Sequence, residues 1–343
     1  MAAPPAVHQL PGFCIAAPLE DQRTTGGETV GTLMENRTMT KHFQILAFSN
    51  NPDNQIFLFV FFFLVYFIGV LWNVLIVAVI LINTRLHTPM YFFLCNLASA
   101  DTLFTTITIP KLMDILLTGQ STISFTKCFI QLYAVLFMAG TQVILLSFMA
   151  YDRYIAICYP LHYQLIMNQR KCILLLLCSW ISGCGNSIFC TGFASNLSFC
   201  HSNKIQHFFC DIKTLSKISC SGISFHTVIY VETFMFGLFP FLLCLTSYIK
   251  IINTILHIKS SKCRMKAFST CTSHLIVLIM FYGTILFTYM GPTSGHSLEQ
   301  DQVSSVLYAA VIPMLNPLIY SLRNKEEQAG TSRIRFEPCP KDI

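Results

Sequence analysis

Charged residues are scarce in this chain. Only 11% of its 343 residues are Asp, Glu, Lys or Arg, whereas 54% are hydrophobic and Phe alone occurs 30 times. A soluble protein typically carries about 25% charged residues. So few polar side chains cannot cover a soluble particle of this size. We therefore expect the lipid bilayer to be the main solvent of this protein and one of its partners.

The signals of several other functional classes are missing. The net charge is a modest +6 and no dense run of Lys or Arg occurs, so no nucleic-acid partner is expected. The chain has no nucleophile elbow, zinc-protease helix or phosphate-binding loop, so we expect no enzyme activity. Its Cys and His residues lack the spacing of metal ligands, and neither a metal site nor a cofactor is therefore expected.

Apolar segments that are long enough, or nearly long enough, to cross a bilayer occur seven times. A helix needs about 20 apolar residues for this. The segments cover residues 56–82, 91–113, 129–151, 172–194, 223–249, 269–290 and 302–322. We therefore predict an all-α bundle of seven transmembrane helices, with an outer segment at residues 1–55, the membrane domain at 56–322 and a short inner tail at 323–343.

The distribution of basic residues predicts the orientation. With the N-terminus outside, 14 Lys and Arg residues lie on the inner side and eight on the outer side. The positive-inside rule favours this arrangement, which also places the C-terminus inside. Residues 1–33 lack the features of a signal peptide and are predicted to be disordered. Asn36 and Asn196 each begin an outer glycosylation sequon, and Asn36 is the predicted acceptor because it lies in the flexible segment.

Four cysteines fall on the outer side of this arrangement. Cys128 lies at the start of the third span, and Cys200, Cys210 and Cys220 are spaced by ten residues in the longest loop. The outer compartment is oxidising and favours disulfides, but four cysteines allow three pairings. A bridge from the loop to the third span would fold the loop over the mouth of the bundle.

Ionisable residues within the spans are functional candidates because they are costly in a membrane. Asp101 lies in the second span, Glu232 lies in the fifth, and Asp152 with Arg153 follows the third. The alternative for Asp101 and Glu232 is a hydrogen-bonded packing residue, and burial could also keep the Glu232 carboxyl neutral.

Prolines interrupt the fifth and seventh spans at Pro240, Pro313 and Pro317. A proline kinks a helix and leaves a backbone carbonyl without its usual donor, which a neighbouring polar side chain can replace. Asn316, directly before Pro317, is suited to that role. We interpret these kinked helices as candidate hinges.

Six motifs occur in order along the chain. They are LHTPMYFFL (86–94), MAYDRYIAIC (149–158), SY (247–248), KAFSTCTSHL (266–275), FYGT (281–284) and PMLNPLIYSLRNKE (313–326). Together they resemble the olfactory (odorant) receptors, a family of rhodopsin-like (class A) G-protein-coupled receptors. The resemblance extends from about Met34 to Glu326. It implies a receptor that binds small odorants and activates a stimulatory olfactory-type G protein, which raises cyclic AMP, at the plasma membrane of olfactory cilia.

The resemblance also implies roles in activation and coupling. The residues concerned are Asp152, Arg153, Tyr154, Tyr248, Tyr282, Asn316, Pro317 and Tyr320. Asp152 would hold Arg153 in the resting receptor and release it toward the G protein. Tyr320 would swing inward beside Tyr248 in the open state. Tyr282 stands where many relatives carry a toggle tryptophan beneath the ligand.

The same resemblance implies two disulfides in the outer loop. Cys128–Cys210 would join the loop to the third span, and Cys200–Cys220 would be the additional loop bridge of odorant receptors.

The chain departs from the family pattern at several positions. Trp72 stands where relatives usually carry Gly, and Gln142 stands where they commonly carry Glu. A sodium or proton site at Asp101 would be weakened by the loss of that acid. Residues 1–33 and the tail after Glu326 are atypical, and no function is assigned to them.

Helical phase predicts the ligand pocket. Counting outward from Arg153 in steps of three and four selects one face of the third helix, and the fifth, sixth and seventh spans supply facing residues. The predicted ligand contacts are Gln131, Leu132, Val135, Leu136, Ala139, Glu232, Ile285, Tyr289 and Val306. This mostly apolar set suits small volatile molecules. Glu232 is predicted to accept a hydrogen bond from a polar ligand group or to pair with an amine.

Three alternatives stay open. One is a receptor of the same family that acts outside the nose on a small metabolite. A second is a seven-helix transporter or channel, although such proteins favour inverted repeats and no repeat is present. The third is a decayed receptor that no longer reaches the cell surface, which the atypical ends and Trp72 would explain.

Overall fold

The computed structural model describes residues 42–46, 52–199, 203–220, 223–290 and 298–316, all within one compact unit that covers Thr40–Ile343. In this described part, six helices are long and apolar enough to cross a membrane, and a shorter apolar helix covers Gln302–Asn316. The prediction of an all-α, multi-pass membrane protein with seven helical segments is confirmed.

The helices are numbered in chain order. They are α1 (Pro52–Ile82), α2 (Pro89–Thr118), α3 (Phe125–Cys158), α4 (Tyr163–Ile166), α5 (Gln169–Ser195), α6 (Ile212–Ile218), α7 (Ile223–Thr233), α8 (Phe239–Leu256), α9 (Ser261–Met290) and α10 (Leu298–Val306). Two π-helical turns, Phe234–Leu238 and Leu307–Val311, follow α7 and α10. The fifth span consists of α7, the first π turn and α8. The seventh consists of α10, the second π turn and the helical residues 312–316.

A small sheet lies beside the ends of α2 and α3. Strand β1 (His42–Ile45) is its central strand, with β2 (Thr122–Ser124) antiparallel on one side and β3 (Lys204–Ile205) parallel on the other. The side chains of three strand residues, Phe43 and Ile45 of β1 and Ile205 of β3, are fully buried. The sheet therefore joins the N-terminal segment, the turn between α2 and α3, and the long loop after α5.

The third helix extends beyond the predicted span. The sequence predicted residues 129–151, but α3 begins at Phe125 and continues to Cys158. The apolar run ends before Asp152, but a change from apolar to charged residues does not mark the end of a helix. The helix ends before Pro160, because the residue that precedes a proline is disfavoured in the α conformation.

Both π turns end two residues before a proline, at Pro240 and Pro313. A proline ring collides with the carbonyl of the fourth residue before it and offers that carbonyl no N–H. The wider turn accommodates this: the N–H of Phe239 bonds to the carbonyl of Phe234, five residues earlier. The predicted interruptions of the fifth and seventh spans are therefore local widenings.

A close helix contact joins the middle of α3 to the middle of α5. A Cβ atom added to Gly140 would lie 3.2 Å from the Cα of Gly183, and one added to Gly183 would lie 2.4 Å from Oγ1 of Thr141. Only glycine fits at Gly183, and small residues of this kind let membrane helices approach closely. This contact lies beside the candidate cavity, because Gly140 is also one of the residues that line it.

Candidate ligand cavity and inner switch

A small cavity of about 40 Å³ lies between α3, α6, α9 and the fifth and seventh spans. Its lining residues are Val135, Leu136, Ala139, Gly140, Val143, Ile212, Glu232, Thr233, Phe236, Gly237, Ile285, Tyr289 and Tyr308. Six of the nine predicted ligand contacts are among them, on α3, the fifth span and α9. Both π turns also contribute to the wall, through Phe236, Gly237 and Tyr308.

Three predicted contacts lie elsewhere. Gln131 links other elements: its Nε2 donates to the carbonyl of Ile107 and its Oε1 accepts from the N–H of Cys210, both at 3.0 Å. Leu132 is fully buried in a separate outer cluster, and Val306 packs at the edge of the main core. The count from Arg153 spans about six turns by the time it reaches Gln131, so small phase errors accumulate.

The roof of the cavity is α6, which is attached to two other helices. The disulfide Cys128–Cys210 joins the residue before its N-cap to α3. Asp211 then caps the helix through the N–H of Lys213, at 2.9 Å, and its other oxygen accepts a 2.6 Å hydrogen bond from the Tyr289 hydroxyl. The Lys213 ammonium donates to the Thr288 carbonyl at 2.5 Å. Two hydrogen bonds therefore connect the end of α9 to the roof helix α6.

Asp211 and Lys213 did not emerge from the sequence as site residues. Asp211 caps a helix of seven residues, which has no apolar periodicity long enough to be recognised. The available signal was an Asp directly after a loop cysteine, which is typical of a helix N-cap.

Glu232 lines the cavity from the end of α7. The Nδ2 of Asn186 on α5 lies 3.5 Å from Oε1 of Glu232, and the Cys190 thiol contacts Oδ1 of Asn186 at 3.6 Å. The neighbouring Thr233 donates its hydroxyl hydrogen to the Ile229 carbonyl of its own helix, at 2.8 Å. The sequence did not indicate Asn186 as the partner, because 46 residues separate it from Glu232.

Tyr282 lies below the cavity and is fully buried. Its hydroxyl donates to the carbonyl of Val143, at 3.1 Å, and lies 3.0 Å from Oγ of Ser147. Val143 also lines the cavity. Tyr282 therefore connects α9 to α3 beside the cavity, and its role as a toggle stays a prediction.

Asp101 lies below this level, where it joins three helices. Its Oδ1 accepts from Nε2 of Gln142, and its Oδ2 accepts from Nδ2 of Asn316, both at 2.9 Å. Asn316 thus bonds to Asp101, where a freed proline carbonyl was the expected partner. The carbonyl of Pro313 instead accepts from Nδ2 of Asn73, at 3.0 Å.

The opposite end of α3 carries the Asp152–Arg153 pair. Arg153 donates through Nε and Nη2 to Oδ2 of Asp152, at 3.1 and 2.5 Å, and Asp152 is fully buried. Oδ1 of Asp152 accepts a 2.7 Å hydrogen bond from the hydroxyl of Tyr163 in α4. Burial, and then the negative charge of Asp152, raise the pKa of the Tyr163 phenol. Tyr163, which lies beyond the quoted motif, was not predicted.

Two further implied residues lie near this pair. Tyr248 on α8 makes a 2.7 Å hydrogen bond with Nδ1 of His274 on α9. The Tyr154 ring lies under the Lys250 ammonium, with 5.6 Å between the nitrogen and the ring centroid. Contacts between α3, α8 and α9 at this end are therefore made by polar side chains that can exchange partners.

Four predicted site residues lie outside the described part of the chain. They are Asn36, Cys200, Pro317 and Tyr320. Cys220 is disulfide-bonded. Its pairing with Cys200 stays a prediction.

The arrangement is that of a membrane receptor: a bundle with seven helical segments has a cavity between several of them toward one end, and a buried ion pair lies at the other. The sequence model described as "Olfactory receptor" matches residues 62–337. Olfactory receptor 10A7 of Homo sapiens is 43% identical over 306 residues, which cover 88% of this chain and 96% of the relative. The chain therefore belongs to the olfactory receptor family of class A G-protein-coupled receptors and is a receptor, not an enzyme.

Relatives from other mammals match over similar lengths. Olfactory receptor-like protein OLF4 of Canis lupus familiaris is 43% identical over 308 residues, with 90% of this chain and 99% of the relative covered. Olfactory receptor 1E16 of Mus musculus is 40% identical over 300 residues, with 87% and 96% covered. The residues matched by the family model, 62–337, include the cavity lining, both cysteines of the disulfide and the ion pair.

Proposed function

We propose that this receptor binds a small, mostly apolar odorant in the cavity between α3, α6 and α9, and activates a stimulatory olfactory-type G protein that raises cyclic AMP. The observation that carries the proposal is that six of the nine residues predicted as ligand contacts line one small cavity beneath α6, which the Cys128–Cys210 disulfide joins to α3. Its predominantly apolar lining favours binding through apolar burial, at about 25 cal/mol per Å².

Ligand binding must enlarge this cavity. Its volume of about 40 Å³ is close to the share of one water molecule, about 30 Å³. The two π turns in its wall are the elements best suited to move, because they lack the regular hydrogen bonds of an α-helix. Displacement of Phe236 or Tyr308 would widen the cavity without breaking a transmembrane helix.

Helix α9 provides a direct route from the cavity to the inner end. Ile285 lines the cavity, and Tyr282, one turn below it, bonds to the Val143 carbonyl. His274 lies about two turns further along and bonds to Tyr248. A ligand that shifts α9 at Ile285 would therefore strain the Tyr282 contact first and the Tyr248 contact next.

The inner end would respond by releasing Arg153 from Asp152 toward the G protein. In the activation mechanism that we propose, Tyr248 and Tyr320 stabilise the open state, and the segment from Asn316 to Pro317 bends. Asp101 with its two amide donors would act as a polar joint between the helices, at the position of a weakened sodium or proton site.

The cavity end is proposed to face the cell exterior, because the Cys128–Cys210 disulfide lies there and disulfides form on the oxidising side. This places the N-terminus outside, with Asn36 available for glycosylation and Cys200–Cys220 as the second bridge. We assign the receptor domain to residues 56–322 and expect the protein in the plasma membrane of olfactory cilia.

The test is functional expression of the full chain and of residues 34–343 with an olfactory-type G protein, followed by an odorant screen with cyclic AMP as the readout. We expect a concentration-dependent rise in cyclic AMP for some small apolar odorants. The matched control is Arg153→Ala, which should abolish the response. Surface-expressed receptor that stays silent across a broad panel would contradict the proposal.

A further inference from the structure

The polar groups that line the cavity are few and unequal. Among the lining residues, only Glu232, Thr233, Tyr289 and Tyr308 carry a polar side chain, and none is basic. The cavity wall therefore has one acidic group and three hydroxyls. Which ligand chemistry it can satisfy depends on which of these groups are already engaged with the protein.

Two of the three hydroxyl hydrogens are used within the protein. Thr233 donates to the Ile229 carbonyl at 2.8 Å, and Tyr289 donates to Oδ1 of Asp211 at 2.6 Å. The Tyr308 ring packs edge-on against Phe104, with 5.1 Å between the ring centroids. A hydroxyl whose hydrogen is already donated cannot donate it to a ligand. Ligand groups that only accept hydrogen bonds therefore find at most the Tyr308 hydroxyl.

The acceptor capacity of the cavity, in contrast, is largely free. Oε1 of Glu232 has the amide of Asn186 at 3.5 Å, the outer limit of a hydrogen bond, and the described residues provide no donor for Oε2. No salt bridge involving Glu232 occurs within the described part of the chain. A carboxylate that is partly removed from water is costly unless a positive charge and hydrogen bonds compensate it.

Asn186 supports this interpretation from the neighbouring helix. Its Oδ1 accepts the Cys190 thiol contact at 3.6 Å, which directs its Nδ2 toward Glu232. The amide therefore orients Oε1, and within the described ranges Oε2 has no donor. Asn186 acts as a positioning residue, and Glu232 is the group that would touch the ligand.

We propose that the cavity selects small organic amines, whose protonated nitrogen bonds to Glu232 while their hydrocarbon part lies against Val135, Leu136 and Ile285. This inference rests on the proposed function, because it concerns the same cavity. An ammonium group supplies both the missing charge and several donors. A carboxylic acid of the same skeleton would be repelled, and an aldehyde would find few donors.

The experiment compares one hydrocarbon skeleton with four end groups: amine, alcohol, aldehyde and carboxylic acid. Cyclic AMP is measured for the wild-type receptor and for Glu232→Gln, which keeps the side-chain shape and removes the charge. We expect the amine to be the most potent of the four. The substitution should weaken the amine by about tenfold or more and the alcohol far less, because a charge-assisted hydrogen bond is the stronger one.

Asp114→Asn is the matched control. It removes a carboxylate from the exposed end of α2, where Asp114 pairs with Lys111 outside the cavity lining. If amines act by general attraction to negative charge, this substitution should weaken them as much as Glu232→Gln does, which would overturn the proposal. Equal potency of the amine in wild type and Glu232→Gln would also overturn it.

A second measurement separates ligand chemistry from signalling. The melting temperature of the purified full-length receptor is measured with each of the four compounds. Stabilisation by the amine in wild type but not in Glu232→Gln supports the inference, even if cyclic AMP does not change, and in that case only the proposed function fails. Responses to the aldehyde or the acid, with no stabilisation by the amine, would sink the inference and leave the proposed function standing.

Discussion

The two ends of the bundle are stabilised by different chemistry. At the cavity end, the roof helix α6 is joined to α3 by the disulfide Cys128–Cys210 and to α9 by the hydrogen bond of Tyr289 to Asp211. At the opposite end, the buried charges belong to two adjacent residues, Asp152 and Arg153. In the proposed mechanism, the first end keeps its shape and the second exchanges hydrogen-bond partners.

Adjacency explains the difference. Because Asp152 and Arg153 are neighbours in one helix, their bond does not depend on how α3 sits against any other helix. In the proposed mechanism, the Asp152–Arg153 bond therefore persists while the helices move, until the G protein binds Arg153. The hydrogen bond from the Tyr163 hydroxyl connects this pair to the neighbouring helix α4. The following changes test the comparison, from the largest expected effect to the smallest.

Arg153→Ala should abolish G-protein output and leave surface expression largely intact. In the proposed mechanism the guanidinium binds the G protein, and its removal leaves Asp152 with the Tyr163 hydroxyl as a partner. Cyclic AMP and surface labelling are measured in the same cells. Arg170→Ala, at the exposed start of α5, is the matched control. Loss of surface expression without a separable signalling defect would favour a structural role.

Removal of the Cys128–Cys210 disulfide by a double substitution to Ser should destabilise the cavity end. The loss of a native disulfide typically costs about 2–5 kcal/mol, so surface expression should fall several-fold. The melting temperature of purified receptor is the second readout. Cys178→Ser, at an exposed free cysteine of α5, should change neither quantity. An unchanged melting temperature in the double variant would refute the rigid role of this end.

Tyr163→Phe should raise ligand-independent cyclic AMP by several-fold. It removes a hydrogen bond to a charged acceptor, which is worth about 1.5–3 kcal/mol, and so weakens the state in which Asp152 holds Arg153. Tyr159→Phe is the control, because Tyr159 is exposed and its hydroxyl accepts a 3.4 Å hydrogen bond from Tyr154, not from the ion pair. Basal output equal to that of wild type would show that α4 does not restrain the pair.

Tyr289→Phe should have the smallest effect, a local loosening of α6. The disulfide and the bond of Lys213 to the Thr288 carbonyl remain, so only amide hydrogen exchange in α6 should accelerate, in the absence of ligand. Thr288→Val keeps that carbonyl and serves as the control. Acceleration in both variants alike would mean that the Tyr289 bond is not specific to the roof.

Much of the architecture was predictable from sequence because it depends on composition and local pattern. The scarcity of charge and the lengths of the apolar runs predict a multi-pass helical bundle, and six motifs in order indicate the receptor family. The same motifs implied the Cys128–Cys210 bridge. Helical phase also selected most of the cavity lining near the middle of α3, where Val135, Leu136 and Ala139 lie.

The rest was decided by tertiary structure. Residues far apart in sequence determine what each polar group can bind: Asn186 lies beside Glu232, Asp211 beside Tyr289, and these pairs are separated by 46 and 78 residues. The periodicity of the sequence does not show which residues of different helices lie side by side. It also does not show the two π turns that precede the prolines in the cavity wall. The sequence alone therefore determines a helical membrane receptor of this family, because hydropathy and motifs can be recognised within short segments of the chain. Only packing decided which hydrogen-bonding groups of the cavity stay free for a ligand.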